Sequence, residues 1–135
     1  MDRKTENEIA QFFQKRVRER ILYLMNSKKR GDIFDKLAHN AEDYLDCALT
    51  VEKSERPLDK DTIGKYLGKT VYVMECHGEY RSPLDGSFAE LDAALDTLWS
   101  CGIPYILYGN GCLYVETEYN FTTHAAYLLK RNDKP

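Results

Sequence analysis

The sequence predicts an α+β fold, in which an N-terminal αα-hairpin packs on a small mixed β-sheet of about four strands with one further helix. Apolar residues recur at helical spacing over residues 1–50, and the period becomes that of strands from residue 70 onward. An Asn-Gly pair then separates two short strands, as in a hairpin. The expected order is α-α-(α)-β-α-β-β-β in a single domain over residues 1–135, with a helical part at 1–50 and a β-α-β-β-β part at 69–131.

One long amphipathic helix is predicted over residues 5–25. Thr5 and Glu8 have the spacing of a capping box, in which each side chain satisfies an unpaired amide at the helix start. The apolar stripe of this helix consists of Ile9, Phe12, Phe13, Val17, Ile21, Leu24 and Met25. This stripe is long enough to extend beyond its own domain, so a homodimer through the first helix is one expectation.

A second helix is predicted over residues 32–49, with Asp32 as its N-cap. Its outer face is acidic and carries Asp35, Glu42, Asp43 and Asp46, with His39 among them. Because Asp35, His39 and Asp43 are spaced i, i+4 and i+8, they fall on one side of a regular helix. Such a row can bind a divalent ion or hold a histidine as a general base, and it is also typical of a plain solvated face.

The middle of the chain alternates linkers with short elements. Residues 52–58 are predicted to be a charged linker and residues 59–67 one or two helical turns closed by Gly68. Residues 70–76 are rich in β-branched and aromatic side chains, which is typical of a strand. Residues 78–86 then form a polar loop.

The C-terminal part begins with a helix that Ser87 is predicted to cap, because Glu90 follows three residues later. Strands are predicted at residues 105–108 and 112–116, joined by the Asn-Gly turn. Residues 123–131 alternate in polarity, which favours a strand, but a short helix remains open.

Composition indicates an ordinary globular protein, since 43% of the residues are hydrophobic and 30% are charged. The first ten residues contain no apolar core of a secretory signal, so a cytoplasmic location and no membrane partner are expected. The four cysteines are then expected to be reduced and mostly buried. No pair of them has zinc-ligand spacing, and no cofactor is expected.

Charge is distributed unevenly along the chain. Residues 1–30 hold nine Lys or Arg against four Asp or Glu, whereas residues 31–100 hold seven against fifteen. The basic first helix is either a phosphate-binding surface or a solvated face. The second interpretation is favoured because the net charge is −3 and no aromatic residue is evident among the basic ones, so a nucleic-acid partner is not expected. The acidic second helix is either a docking surface for a basic partner or a solvated face.

A polar cluster follows the first predicted strand and contains Glu75, His77, Glu79 and Arg81. Loops at strand ends are common places for binding and catalytic groups. Strand alternation predicts that Glu75 and His77 share a face, and on the core side Glu75 would need a polar partner. The same segment is equally typical of a hydrophilic turn.

Tyrosine is the one residue type in excess, with ten in the chain. Tyr105, Tyr108 and Tyr114 fall in the predicted C-terminal sheet. Tyrosines of this kind are common in protein interfaces, and they are equally common as strand residues with a hydroxyl at the solvent edge. Both interpretations stay open.

No catalytic motif is present, because the sequence contains no G-x-S-x-G, no Walker loop and no H-E-x-x-H. The leading hypothesis is therefore a small cytoplasmic, non-enzymatic protein-binding protein of inhibitor, immunity or regulatory type. It would act through the acidic helix and the Tyr-rich sheet. The alternative is a small enzyme or ligand-binding domain with a polar site at the end of the first strand.

Overall fold

A computed structural model describes residues 2–77, 80–101, 104–117 and 126–131, with the backbone alone at residues 39, 77, 80 and 99–101. The fold is α+β, as the sequence predicts. The helices are α1 (Arg3–Ala10), α2 (Arg18–Met25), α3 (Asp32–Tyr44), α4 (Lys60–Leu67) and α5 (Leu91–Cys101), with 3-10 turns at Lys15–Val17 and Cys47–Leu49. The strands are β1 (Thr50–Ser54), β2 (Thr70–Met74), β3 (Cys76–His77), β4 (Tyr80–Arg81), β5 (Ser87–Glu90), β6 (Tyr105–Gly109), β7 (Cys112–Glu116) and β8 (Ala126–Lys130).

Six of these strands form one sheet in the order β1-β8-β7-β6-β2-β5, while β3 and β4 pair separately. Every pairing of the six is antiparallel, so the sheet is larger and more uniform than the predicted mixed sheet of about four strands. The difference comes from β5, which returns the chain along β2 before α5 begins. The crossover therefore joins β5 to β6, two parallel strands that lie on either side of β2.

Helices cover both faces of the sheet. Helices α1 to α3 pack on the face that carries Tyr72 and Met74, and α4 and α5 pack on the face that carries Val71 and Val73. Successive strand side chains therefore enter two different cores. Burial on both faces explains why β2, β6 and β7 are apolar at nearly every position instead of alternating with polar residues.

The predicted single helix over residues 5–25 is wrong, because the chain breaks between α1 and α2. Phe13 forms an antiparallel bridge with Leu45, and the carbonyl of Phe12 accepts a hydrogen bond from the amide of Asp46. These long-range contacts bury both phenylalanines outside a helix, although their spacing fits one. The helix also begins earlier than predicted, since Asp2 is the N-cap and accepts from the amide of Thr5.

The second helix ends at Tyr44 instead of residue 49. Asp46 caps the following 3-10 turn, where Cys47 is exposed, contrary to the expectation that the cysteines are buried. Cys76 and Cys112 are buried as expected, and the side chain of Cys101 lies outside the described part. Helix α3 is also interrupted internally, because Asn40 has non-helical dihedrals of φ −146° and ψ 49°.

Two predicted non-strand segments are strands. Residues 50–54, placed in part in a charged linker, form β1 against β8. Ser87 does not start a helix, because Ser87–Glu90 pairs with β2 and the helix begins at Leu91. Both strands lie at sheet edges, where charged and polar side chains face solvent and the strand pattern is weak.

The remaining elements agree with the sequence. Asp59 caps α4, which ends at Gly68 with a positive φ of 84°. Asn110 and Gly111 both have positive φ, which the tight turn between β6 and β7 requires. The ambiguous last element is a strand, β8. Among the described helices, none has the length and apolar composition needed to cross a bilayer.

Candidate functional site

The acidic row on α3 does not form the regular line that its spacing suggests. Asp35, Glu42 and Asp43 are exposed and Asp46 is half-buried, while the side chain of His39 lies outside the described part. The non-helical dihedrals of Asn40 fall between Asp35 and Asp43 and rotate the two ends of the row relative to each other. Within the described residues, no group of three His, Cys, Asp or Glu side chains is arranged to hold a metal ion.

The carboxylates of this row have different surroundings. Glu42 accepts a hydrogen bond from the hydroxyl of Tyr127 at 3.1 Å and lies 3.7 Å from the Lys53 ammonium. Asp46 accepts from the amide of Ala48. The carboxylates of Asp35 and Asp43 have no ion pair or hydrogen bond with any residue of the described ranges. Within the described residues, the charges of Asp35 and Asp43 are therefore solvated and not neutralised by a basic side chain.

Arginines of the basic N-terminal part lie beside α3, but they do not pair with its carboxylates. Arg16 donates to the backbone carbonyl of Asp43 at 2.8 Å, and Arg18 donates to the carbonyls of Phe13 and Gln11. These guanidinium groups thus satisfy backbone oxygens near helix ends instead of pairing with carboxylates. One aromatic side chain does lie among the basic residues, contrary to expectation, because the exposed ring of Tyr23 is covered by the Arg20 guanidinium at 5.3 Å.

Tyr105, Tyr108 and Tyr114 lie in the core of this structure, so they offer no surface to a partner. The hydroxyls of Tyr105 and Tyr114 lie 2.8 and 3.1 Å from a carboxylate oxygen of Glu116 and donate to it. The Tyr114 hydroxyl also accepts from the amide of Leu58. Burial and the Glu116 charge raise the pKa of Tyr114, which keeps it protonated. Tyr105 and Tyr114 therefore pack inside the core of the sheet while their hydroxyls stay hydrogen-bonded.

A buried ion network lies close to the predicted strand-end cluster and was not visible in the sequence. Its centre is Arg30, which is 2% exposed and donates to both carboxylate oxygens of Glu6 at 2.8 and 2.7 Å. The same guanidinium donates to both oxygens of Asp85, at 2.9 and 3.2 Å, and to the carbonyl of Met25. The Tyr72 hydroxyl donates to Glu6 at 2.6 Å. Burial alone would lower the pKa of Arg30. The bonds to Glu6 and Asp85 and the charges of these carboxylates together outweigh this effect and raise the pKa above its usual value, so the group stays charged.

Asp85 joins this network to the end of β2. It accepts from the amide of Glu75 and from Arg81, each at 2.9 Å. Of the predicted cluster, Arg81 is the member with a described side chain that bonds directly to the network. His77 contributes backbone to β3, and its side chain and all of Glu79 lie outside the described part. Two carboxylates, Glu6 and Asp85, thus face two guanidinium groups, and the charges of this set balance.

Glu75 is left over from this balance. Its side chain is fully buried, and among the described residues no group meets either carboxylate oxygen at hydrogen-bonding geometry, although the Ser82 hydroxyl lies nearby. Burial raises the pKa of Glu75 and the charge of Asp85 raises it further, against the opposing effect of the Ser82 hydroxyl. The shift favours the neutral acid more than in an exposed glutamate, since an ionised carboxylate in an apolar site is costly. The sequence predicts that a buried Glu75 needs a polar partner, and among the described residues its carboxyl group has no hydrogen bond.

Chemistry by a cysteine is disfavoured in the same region. Cys76 follows Glu75 and is buried, and burial raises the pKa of its thiol. A nucleophilic cysteine needs the opposite shift, because the thiolate is the reactive form.

A further cleft lies elsewhere, between α4 and the start of α5. It has a volume of about 630 Å³ and is open to solvent. Its walls carry charges of both signs, from Lys60, Lys69, Asp61, Glu90 and Asp92. None of the site residues expected from the sequence lines this cleft.

Comparison with known proteins adds no assignment, since no family model, curated protein or solved structure matches this chain.

Proposed function

We propose that this chain is a non-enzymatic protein-binding protein of inhibitor, immunity or regulatory type, which recognises a basic partner through the acidic face of α3. One observation carries the proposal. Asp35 and Asp43 are exposed, and their charges have no ion-pair partner within the described residues although basic side chains lie next to the helix. Carboxylates in this state retain their full field in solution and can steer a basic partner toward the surface.

The proposed binding surface is the acidic face of α3 alone, without the tyrosines of the sheet. Tyr105, Tyr108 and Tyr114 are enclosed in the core, so they supply no contact area at the surface. The binding face is defined here as the exposed side chains of Asp35, Glu42 and Asp43. An interface of this kind is expected to contribute more to the association rate and to specificity than to the affinity itself.

The test is a pair of charge-reversed variants with equal change in net charge. Asp35→Lys with Asp43→Lys alters the proposed face. Asp61→Lys with Asp92→Lys alters exposed residues of the helical layer on the opposite face of the sheet and serves as the matched control. Each protein is immobilised and incubated with lysate of the source cells, with and without nuclease treatment, and the bound proteins are analysed by quantitative mass spectrometry. The affinity of the captured protein is then measured by titration calorimetry.

The proposal expects a basic protein that binds the wild type and the control, and that binds the α3 variant about tenfold more weakly or worse. Higher salt should weaken the complex as well, because exposed charges are screened. Equal binding by the two variants would exclude the acidic face of α3. A partner that disappears with nuclease would indicate binding through nucleic acid and contradict the proposal.

A second candidate function, a small ligand-binding or catalytic domain, is favoured by one observation, the buried carboxyl of Glu75. A carboxyl group whose pKa is raised by burial is a common property of sites that transfer or donate a proton. A screen of small metabolites by protein-observed NMR tests it. A compound that shifts the amides of Glu75 and Asp85 in the wild type, and fails to bind Glu75→Gln, would support this candidate. A screen without such a compound would leave Glu75 as a structural residue.

A further inference from the structure

The two outer strands of the sheet differ in how they present their backbone. On the β5 edge, the amide of Leu91 donates to the carbonyl of Lys69 and the amide of Gly86 donates to the carbonyl of Val73. Hydrogen bonds to a neighbouring antiparallel strand come from every second residue. The odd-numbered residues of β2 therefore bond toward β5, and Phe88, which lies opposite Tyr72, directs its own N–H and C=O away from β2.

The side chain at the same position is also exposed. Phe88 is 56% exposed, and its ring contacts Tyr72 edge-on with 5.0 Å between the ring centroids. Tyr72 is fully buried, so Phe88 extends the aromatic packing of the core to the surface of the molecule. The β5 edge thus combines an exposed aromatic ring with a backbone amide and carbonyl that have no partner among the described residues, the features by which one strand adds to another.

The opposite edge, β1, is protected. Its pairing with β8 is irregular between Thr50 and Glu52, and its exposed residues include Glu52 and Lys53. Charged side chains and irregular pairing are the usual means by which edge strands avoid pairing with other chains. β5 is less protected, because its register with β2 is continuous from Ser87 to Glu90 and its one charged residue, Glu90, lies at its end. The irregular position lies just before the strand, at Gly86, whose amide donates to Val73 although Ser87 is the residue opposite Val73.

We infer that β5 is a homodimer interface, in which a second copy of this chain pairs antiparallel with β5 about a two-fold axis at Phe88. In this register the two Phe88 residues exchange both backbone hydrogen bonds. Ser87 lies opposite Ala89 of the second copy, and Glu90 lies opposite Gly86. The two six-stranded sheets then become one continuous antiparallel sheet.

Self-pairing fits this edge for two reasons. An isologous interface needs a surface that complements itself, and the outward bonding groups of Phe88 meet this condition at a two-fold axis. No like charges face each other, since Glu90 is opposite a glycine. The two Phe88 rings lie on the same face, so Tyr72, Phe88 and their two counterparts form a row of four aromatic rings. An exposed edge of four residues buries little area, so the dimer is expected to be weak and concentration-dependent.

The test uses opposite charges at the symmetry axis. Wild type is expected to show a monomer–dimer equilibrium by sedimentation equilibrium over a wide concentration range. Phe88→Glu and Phe88→Lys should each weaken the dimer about tenfold or more, because like charges then lie directly opposite each other. An equal mixture of the two variants should restore dimerisation, since the introduced charges attract across the axis.

Controls separate loss of the interface from loss of the fold. Val51→Glu introduces the same charge at an exposed residue of the β1 edge and should leave the dimer unchanged. Circular dichroism and thermal melting of each variant should match the wild type, because Phe88 is more than half exposed. A wild type that stays monomeric, a dimer that survives Phe88→Glu, or a mixture that fails to associate would each overturn the proposal. None of these results bears on the binding face of α3, which lies on another element.

Discussion

The two faces of the sheet are held to their helices by different interactions. On the α1–α3 face, a buried guanidinium bonds to Glu6 and Asp85, and Glu6 accepts a hydrogen bond from Tyr72 of β2. On the α4–α5 face, the core is apolar, and its buried hydroxyls bond to Glu116 near the sheet surface. The stability of the α1–α3 layer therefore depends on the correct pairing of a few buried charged groups. The stability of the α4–α5 layer depends on close packing between its helices and the sheet. Substitutions on each face should reveal this difference.

The largest effect is expected for Arg30→Met. Removing the guanidinium leaves the carboxylates of Glu6 and Asp85 buried without their cation, which should lower the free energy of unfolding by about 3–5 kcal/mol. Urea denaturation at neutral pH measures this loss. Lys53→Met is the comparison, because the Lys53–Glu42 pair is nearly half exposed and should cost less than about 1 kcal/mol. Losses of similar size in the two variants would contradict a special role for the buried network.

An intermediate effect is expected for Gly109→Ala on the other face. A Cβ atom at Gly109 would lie 2.4 Å from the carbonyl oxygen of Leu67 at the end of α4, so α4 or β6 would have to move. The expected loss is about 1–3 kcal/mol, measured by urea denaturation. Gly64→Ala is the matched control. A Cβ there meets only the flexible side chain of Leu91, at 3.3 Å, and alanine favours the helix, so the variant should be as stable as the wild type or more so.

The smallest effect is expected for Glu75→Gln, and it depends on pH. Because the folded chain raises the pKa of Glu75, the folded state keeps a proton that the unfolded state loses above its ordinary value of 4.5. Stability from this group is therefore fully present in acid and is lost as the pH rises through the folded pKa. Glutamine cannot ionise, so the variant should be more stable than the wild type by about 1 kcal/mol at neutral pH.

The measurement is the free energy of unfolding of both proteins from pH 4 to pH 8. The two curves should converge at the acid end and separate as the pH rises, while the exposed control Glu55→Gln should follow the wild type throughout. Parallel curves for wild type and Glu75→Gln would show that Glu75 ionises normally.

The sequence predicts the elements whose signals are local. The Gly68 stop after α4 and the Asn110-Gly111 turn each depend on a few neighbouring residues, and each is found as expected. The long first helix fails because Phe12 and Phe13 keep helical spacing while their backbone bonds to residues near Asp46. β5 fails because Ser87 and Glu90 have the spacing of a capping box, yet both pair with β2. Local patterns of this kind are overridden by distant partners.

The candidate sites follow the same rule. The exposure of Asp35 and Asp43 was predictable from helical spacing, but the break at Asn40 between them was not. Glu75 was recognised as unusual if buried, because a single carboxylate next to an apolar strand is visible in the sequence. The partners of Arg30 could not be predicted, since Glu6 and Asp85 are 24 and 55 residues away from it.

These separations also set an order of events for a chain that is being synthesised. Helices α1 to α3 leave the ribosome with Arg30 and Glu6 in place but without Asp85, and β1 emerges long before its partner β8. The N-terminal layer therefore cannot reach its final state until the loop after β4 has appeared, and the β1 edge stays unpaired until the last strand arrives. Folding is therefore coupled to the completion of the sheet, and the β1 edge is open to other contacts in the interval.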